Sequence, residues 1–198
     1  MIPDLAMMLA DEGWSPAGVH PTPVGEVAIA TRDYGGTHCA RADMVAAAPV
    51  SALVATVTDL DRSERWSGVA RSEVISRSGQ AAEWLQVLEV PSWTLASSRY
   101  WLSRGGLSWT GETAIFHWSR VPDGELEAIR ASLRAELPNA IELSVNTGFW
   151  RFTPGESGTT IRYVSCSQDS GSLPPAVSSF ALRQTLPQML ARLVGASG

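Results

Sequence analysis

A chain of 198 residues, 44% hydrophobic and 18% charged, is long enough to bury a core and too apolar for global disorder. Its net charge is −5, and all 15 basic residues are Arg, scattered singly along the chain. That distribution excludes the basic stripe a nucleic-acid backbone requires, and the lack of Lys excludes a Schiff-base or P-loop lysine.

Residues 3–13 read as a short amphipathic helix ending near Gly13, and the segment around His20 and Pro21 as a Pro-rich loop. Residues 24–34 and 37–48 are strand candidates joined at Gly35-Gly36, a hairpin signal. Pro49 then opens a helix whose Leu53, Val54 and Val57 share one face, and Trp66 lies in a second short helix or turn. From Ala70 the period changes to two. Residues 70–90 form a hairpin turning at Ser78-Gly79, and residues 93–121 a second one turning at Gly105-Gly106. Leu126, Ile129, Leu133 and Leu137 repeat at helical spacing, so residues 123–140 are a helix inserted between strands. A further hairpin turns through "PGESG", and a helix of about 175–195 ends the chain, interrupted by Pro187. Residues 1–198 thus read as one α+β domain, in which an antiparallel sheet carries a helix across it.

Parity along each strand sorts the side chains between two faces. Trp84, Gln86 and Leu88 share one face, opposite Glu83 and Glu89, whose carboxylates are costly to bury. Arg99 and Trp101 agree in parity, as do Phe116 with Trp118 and Trp150 with Phe152; Tyr163 follows on the next strand. Large rings gathered on one side, with Gln86 and Arg99 for polar company, have the composition of a small-molecule site. The same rings also suit an ordinary solid core.

Little points to chemistry. His38 and Asp43, like His117 and Glu112, stand five apart, which places them on opposite faces of a strand. "GESG" falls short of a nucleophile elbow because Thr159 stands where glycine is needed. Cys39 and Cys166, far apart and without further ligands nearby, read as two buried free thiols. No catalytic residue, metal or cofactor is assigned. Asp4 occupies the place where a secretion signal carries positive charge, and the longest apolar run is too short to span a bilayer, so the reading is a soluble cytoplasmic protein. The oligomeric state has no signature in the sequence.

Several motifs stand in a familiar order. They are "VAAAPVSALVATVTDLDRSERWSG", "VPSWTLASSRYWLSR", and "GFWRFTPGESGTTIRYVSCSQDSGSLPPAVSSFALRQTLPQMLARL". Over residues 14–195 the chain resembles the START-like (SRPBCC) superfamily of helix-grip lipid-binding domains. Arg99-Tyr100 stands where many members have Arg-Asp, and the helix at 123–140 departs from the pattern. The resemblance implies a curved antiparallel sheet gripping the terminal helix around an apolar tunnel, with Phe180 and Gln184 facing it. It implies gates at "DSGSLPP" and at the turns 78–79 and 105–106. It also implies a lipid or other hydrophobic small molecule as partner, with transient membrane contact. Aromatase/cyclase enzymes share the fold and form the alternative, Arg99, Tyr100 or Tyr163 polarising a carbonyl. A third reading is an interaction domain with a solid core.

Overall fold

Among the described residues ten strands make one sheet, and five α-helices pack on its two faces. The computed structural model describes residues 1–90, 97–168 and 175–198, with side chains in the last segment described from 185 onward. Phe180, Gln184 and the "DSGSLP" loop therefore lie outside the described residues or side chains. In chain order the elements are α1 (Leu5–Leu9), β1 (Ser15–Thr22), β2 (Gly25–Asp33), β3 (His38–Ala46), α2 (Val50–Thr58) and α3 (Glu64–Ser67). There follow β4 (Arg71–Ser78), β5 (Ala81–Leu88), β6 (Arg99–Thr110), β7 (Thr113–Arg120), α4 (Glu127–Glu136), β8 (Ile141–Glu142), β9 (Val145–Gly155), β10 (Gly158–Gln168) and α5 (Pro175–Ala196).

The sheet order is β1-β2-β3-β10-β9-β7-β6-β5-β4, with the short β8 pairing parallel to β6. Every other neighbour is antiparallel, as tight turns between successive strands require. The one long jump, from β3 to the far edge at β4, is made by α2 and α3. The buried residues of α2, Leu53, Val54 and Val57, join the core of the sheet's concave side. So do Leu186, Met189, Leu190 and Leu193 of α5. The helix expected over 175–195 is thus present, and Pro187 lies within it.

The convex side has two coverings of its own. The short α1 is capped by Asp4, which accepts a hydrogen bond from the Met7 amide at 2.8 Å. It sets Met8 against Tyr34, Phe149 and Val164. The inserted helix α4 covers Leu85, Val87, Tyr100 and Leu102 with Leu133, on the side of the sheet away from α2 and α5. Arg130 pins it there, almost wholly buried, donating to Glu142 and to the carbonyls of Pro122 and Val121.

Three expectations are corrected. The Pro-rich segment around His20 is β1, an edge strand; proline is tolerated there because an edge has amides that no neighbour needs. The turn expected at Gly105-Gly106 is absent: β6 runs straight through both glycines and the chain reverses between Thr110 and Thr113. A side chain at Gly105 would put its Cβ 2.2 Å from the His117 carbonyl oxygen, so glycine is needed for close strand approach rather than for a turn. A gate at 105–106 is ruled out with the turn. Finally, Cys39 and Cys166 are not free thiols. They stand directly opposite on β3 and β10 and form a disulfide. Spacing along the chain hid this, because the two residues meet only through the sheet register.

Candidate ligand-binding site

Ladder register decides which side chains meet on the concave face. Trp84 on β5 opposes Ser103 on β6, Gln86 opposes Trp101, and Leu88 opposes Arg99. Trp118 on β7 lies between Gly105 on β6 and Gly148 on β9, while Phe116 opposes Trp150. Trp150 in turn faces Tyr163 on β10. The two glycines explain how Trp118 fits. A Cβ at position 148 would come within 2.5 Å of its indole, so Gly148 lets the ring lie flat across β9.

A continuous aromatic wall results. Trp84 stacks on Phe116 at 5.8 Å, Phe116 meets Trp118 at 6.4 Å, and Trp118 stacks on Tyr163 at 6.0 Å. Trp150 then touches Tyr163 at 4.3 Å, stacks on Phe152 at 6.0 Å, and takes Trp66 of α3 edge-on at 5.7 Å. These separations suit offset and edge-to-face ring pairs.

The polar groups on this wall mostly answer one another. The Gln86 carbonyl oxygen accepts from the Trp101 indole at 2.9 Å and the Trp84 indole at 3.3 Å, while its amide donates to Ser63 at 3.0 Å. Asn146 does the same further along, accepting from Trp118 at 3.3 Å and donating to Ser103 at 2.9 Å. Arg99 is buried and donates to the carbonyls of Ser97 and Ser98. Leu88 shares the inward parity but ends its strand with more than a third of its surface exposed.

Tyr163 is different. Burial pushes its phenol above the ordinary value, and only the Ser165 hydroxyl beside it works against that shift. Yet the residue keeps an open part of its surface, as do Gln86, Trp101 and Ser165 on the same face.

The sequence-derived set Trp84, Gln86, Trp101, Phe116, Trp118, Trp150, Phe152 and Tyr163 is brought together on one face. Asn146, Ser103, Ser165 and Trp66 were missed. The first two share parity with Trp150 and Trp101, and Ser165 with Tyr163, so the alternation that located the rings also points to these polar neighbours. The histidines stay apart from the wall: His38 pairs with Asp33 at 2.9 Å, half exposed, and His117 is exposed on the convex side. Among the described residues no group of His, Cys, Asp and Glu could hold a metal ion, and no helix is long and apolar enough to cross a membrane. An open pocket of about 360 Å³ lies elsewhere, at the start of α2, between Val50, Glu112, Pro154 and Thr159.

No family model and no curated protein matches the chain. Solved structures do. Human STARD10 aligns with a TM-score of 0.72 at 15% identity, over 100% of this chain and 80% of its own. The STAR-related lipid transfer protein from Xanthomonas axonopodis aligns at 0.75 with 18% identity, over 94% of this chain and 99% of its own. The Zhui aromatase/cyclase from Streptomyces aligns at 0.54 with 11% identity, over 81% and 91% respectively. Identities this low speak to architecture, and with the curved sheet, the concave aromatic wall and the terminal helix they establish that the chain has the START-like helix-grip fold.

Proposed function

We propose that the chain binds or transfers a lipid or other hydrophobic small molecule held between the concave aromatic wall and α5. The observation that carries this reading is the open surface kept by inward-facing residues, Tyr163 above all. A ring set between Trp118 and Trp150 that keeps accessible area offers surface to a guest, and rings with a few placed polar groups are the chemistry of a ligand pocket. The likeness to proteins named for lipid transfer supports the same reading. Covering about 400 Å² of apolar ligand contributes about 10 kcal/mol, against an association cost of about 4–15 kcal/mol, so micromolar affinity is the expected scale. The likeness to an aromatase/cyclase supports a second reading, in which the same pocket shapes a substrate for turnover.

The disulfide adds a point about location. Stable protein disulfides belong to oxidising compartments, so we infer an oxidising setting rather than the cytoplasm expected from the sequence.

Native mass spectrometry of the chain purified under mild conditions tests the proposal. A co-purified hydrophobic molecule, released on denaturation, is expected. A bare mass, together with no uptake of an apolar fluorescent probe, refutes it in favour of a solid core.

A further inference from the structure

We propose that the convex face carries a second site, independent of the pocket, at which Arg151, Arg162 and Arg41 take a doubly charged phosphate group in place of the chain's own Asp11. Register builds the patch. Arg151 on β9 stands directly opposite Arg162 on β10, and Arg162 stands opposite Asp43 on β3, with Arg41 two residues along on the same face. Opposite residues on a ladder lie about 5 Å apart and diagonal ones about 7–8 Å, within reach of long side chains. This is the side covered by α1, because Phe149 and Val164, which share the parity of Arg151 and Arg162, pack against Met8. Asp11, in the loop between α1 and β1, sits in the field of all three arginines: Arg162 does most to hold its carboxyl below the ordinary value, and Arg151 and Arg41 add to the effect.

Two carboxylates serve three cations here. Asp43 accepts from Arg162 at 2.6 Å and lies 2.9 Å from Arg41, while Asp11 accepts from Arg162 and lies 3.7 Å from Arg41. Arg151 has no hydrogen bond or ion pair among the described residues, although it is partly buried. Burial, and then the Arg162 charge beside it, hold its pKa below the usual arginine value. Even Arg41 is incompletely met, since its Nε and Nη1 are buried without a well-directed hydrogen bond. The patch therefore keeps one unanswered positive charge in a chain whose net charge is −5.

Asp11 shows what the patch accepts and why it calls for more. Its side chain is 74% exposed and is held, among the described residues, by Arg162 and Arg41, so it can turn out to solvent without uncovering the core. The loop itself has other ties: the Trp14 indole donates to the Ala10 carbonyl at 3.0 Å and Arg32 to the Glu12 carbonyl at 2.6 Å. A carboxylate brings one charge and two oxygens, which leaves Arg151 unmatched. A phosphate brings two charges and three free oxygens, enough to meet all three guanidinium groups. With Asp43 retained, the patch then becomes neutral.

Inorganic phosphate, titrated calorimetrically at about pH 8 where it is mainly a dianion, tests the site in the full chain, in Arg151→Gln and in Asp11→Asn, each with a melting curve. Arg151→Gln is expected to bind about tenfold more weakly, the scale of one hydrogen bond to a charged group. It should melt at or near the wild-type temperature, because a cation directly opposite Arg162 does not support the fold. Asp11→Asn, which removes the competing carboxylate, is expected to bind about tenfold more tightly. Phosphatidylcholine vesicles carrying phosphatidic acid distinguish the source. Retention on them that Arg151→Gln abolishes makes the phosphate a lipid headgroup, and phosphate binding without retention makes it a soluble molecule; both support the site. No saturable heat in the wild type or Asp11→Asn, with no retention on the vesicles, overturns the proposal. So does unchanged phosphate affinity in folded Arg151→Gln, or binding to Asp11→Asn no tighter than to the wild type.

Discussion

Replacing Gln86 by Leu tests whether the aromatic wall is held by its polar ties. The substitution keeps the volume but removes the acceptor for two indoles and the donor to Ser63. Trp101 keeps an open edge, so water can satisfy its N–H and we assign that loss no cost. Trp84 and Ser63 have no such recourse, being 3% and 1% exposed. Each orphaned buried group costs about 1–3 kcal/mol, and the added apolar burial of Leu recovers about 1 kcal/mol. The net destabilisation expected is about 3 kcal/mol. For a chain of this size that lowers the melting temperature by roughly 6–12 °C. Thermal unfolding followed by tryptophan fluorescence gives the shift, and near-ultraviolet circular dichroism shows whether the rings lose their fixed arrangement. A Gln86→Leu protein that melts within about 2 °C of the wild type, with its aromatic signal intact, would falsify the claim that this amide organises the wall.

Other perturbations read other parts of the structure. Gly148→Ala places a Cβ 2.3 Å from the Val164 carbonyl oxygen and 2.5 Å from the Trp118 indole, so a loss of about 3 kcal/mol is expected in urea unfolding. Gly111→Ala, with φ at 58° and open space around it, should cost only the left-handed backbone penalty, about 1–2 kcal/mol; equal losses at the two sites would remove the packing explanation. Reducing the Cys39–Cys166 bond, whose sequence separation is 127 residues, should lower stability by roughly 3–5 kcal/mol, seen as a reductant-dependent drop in melting temperature. Alkylation of both cysteines in the unfolded chain without reductant would show instead that no such bond exists. Burial pushes Tyr34, Tyr100 and Tyr163 above the ordinary phenol value of 10.0. Above pH 10 the unfolded chain therefore loses phenolic protons that the folded chain keeps, and stability falls as pH rises. Absorbance at alkaline pH should show no tyrosinate until beyond the ordinary range, and a full tyrosine equivalent titrating near pH 10 would contradict the burial of these rings.

Most of the inward face was legible because it depends only on alternation within a strand. Trp84 with Gln86, and Phe116 with Trp118, needed no knowledge of partners. What could not be read were facts of register. Cys39 and Cys166 become neighbours only once β3 lies against β10, and nothing local to either residue announces that pairing. The glycines at 105 and 106 show a different failure. Two consecutive glycines signal a turn when the chain is read alone, but here the crowding comes from β5 and β7 on either side, where Gln80 and His117 present their carbonyl oxygens. The true turn at Gly111 carries a positive φ, and a single glycine beside Thr and Glu is the weaker local signal. In β1 the prolines suggested a loop because the argument against proline assumes two hydrogen-bonding neighbours, and an edge strand has one.

The same register explains why a wall of large rings need not collapse into a solid core. Flexible apolar side chains move to close a gap, because every unfilled contact forfeits dispersion energy. Here the groups that would border the proposed cavity are stiff. Gln86 fixes two indoles, Asn146 fixes Trp118, and Gly148 admits that ring in only one posture, flat against the strand. On the other side of the same two strands, the disulfide ties β3 to β10 where Ala40 and Ser165 form the opposite face. Opposite Tyr163 on β3 stand the small, buried residues Ala40 and Ala42, on the backbone that the disulfide holds. Loosening the ties should therefore shrink the space as well as lower stability. Gln86→Leu is expected to weaken uptake of an apolar fluorescent probe, although the three hydrogen bonds it removes are all made within the protein. Undiminished uptake in that variant would mean that the cavity is kept open by something other than the pinned rings.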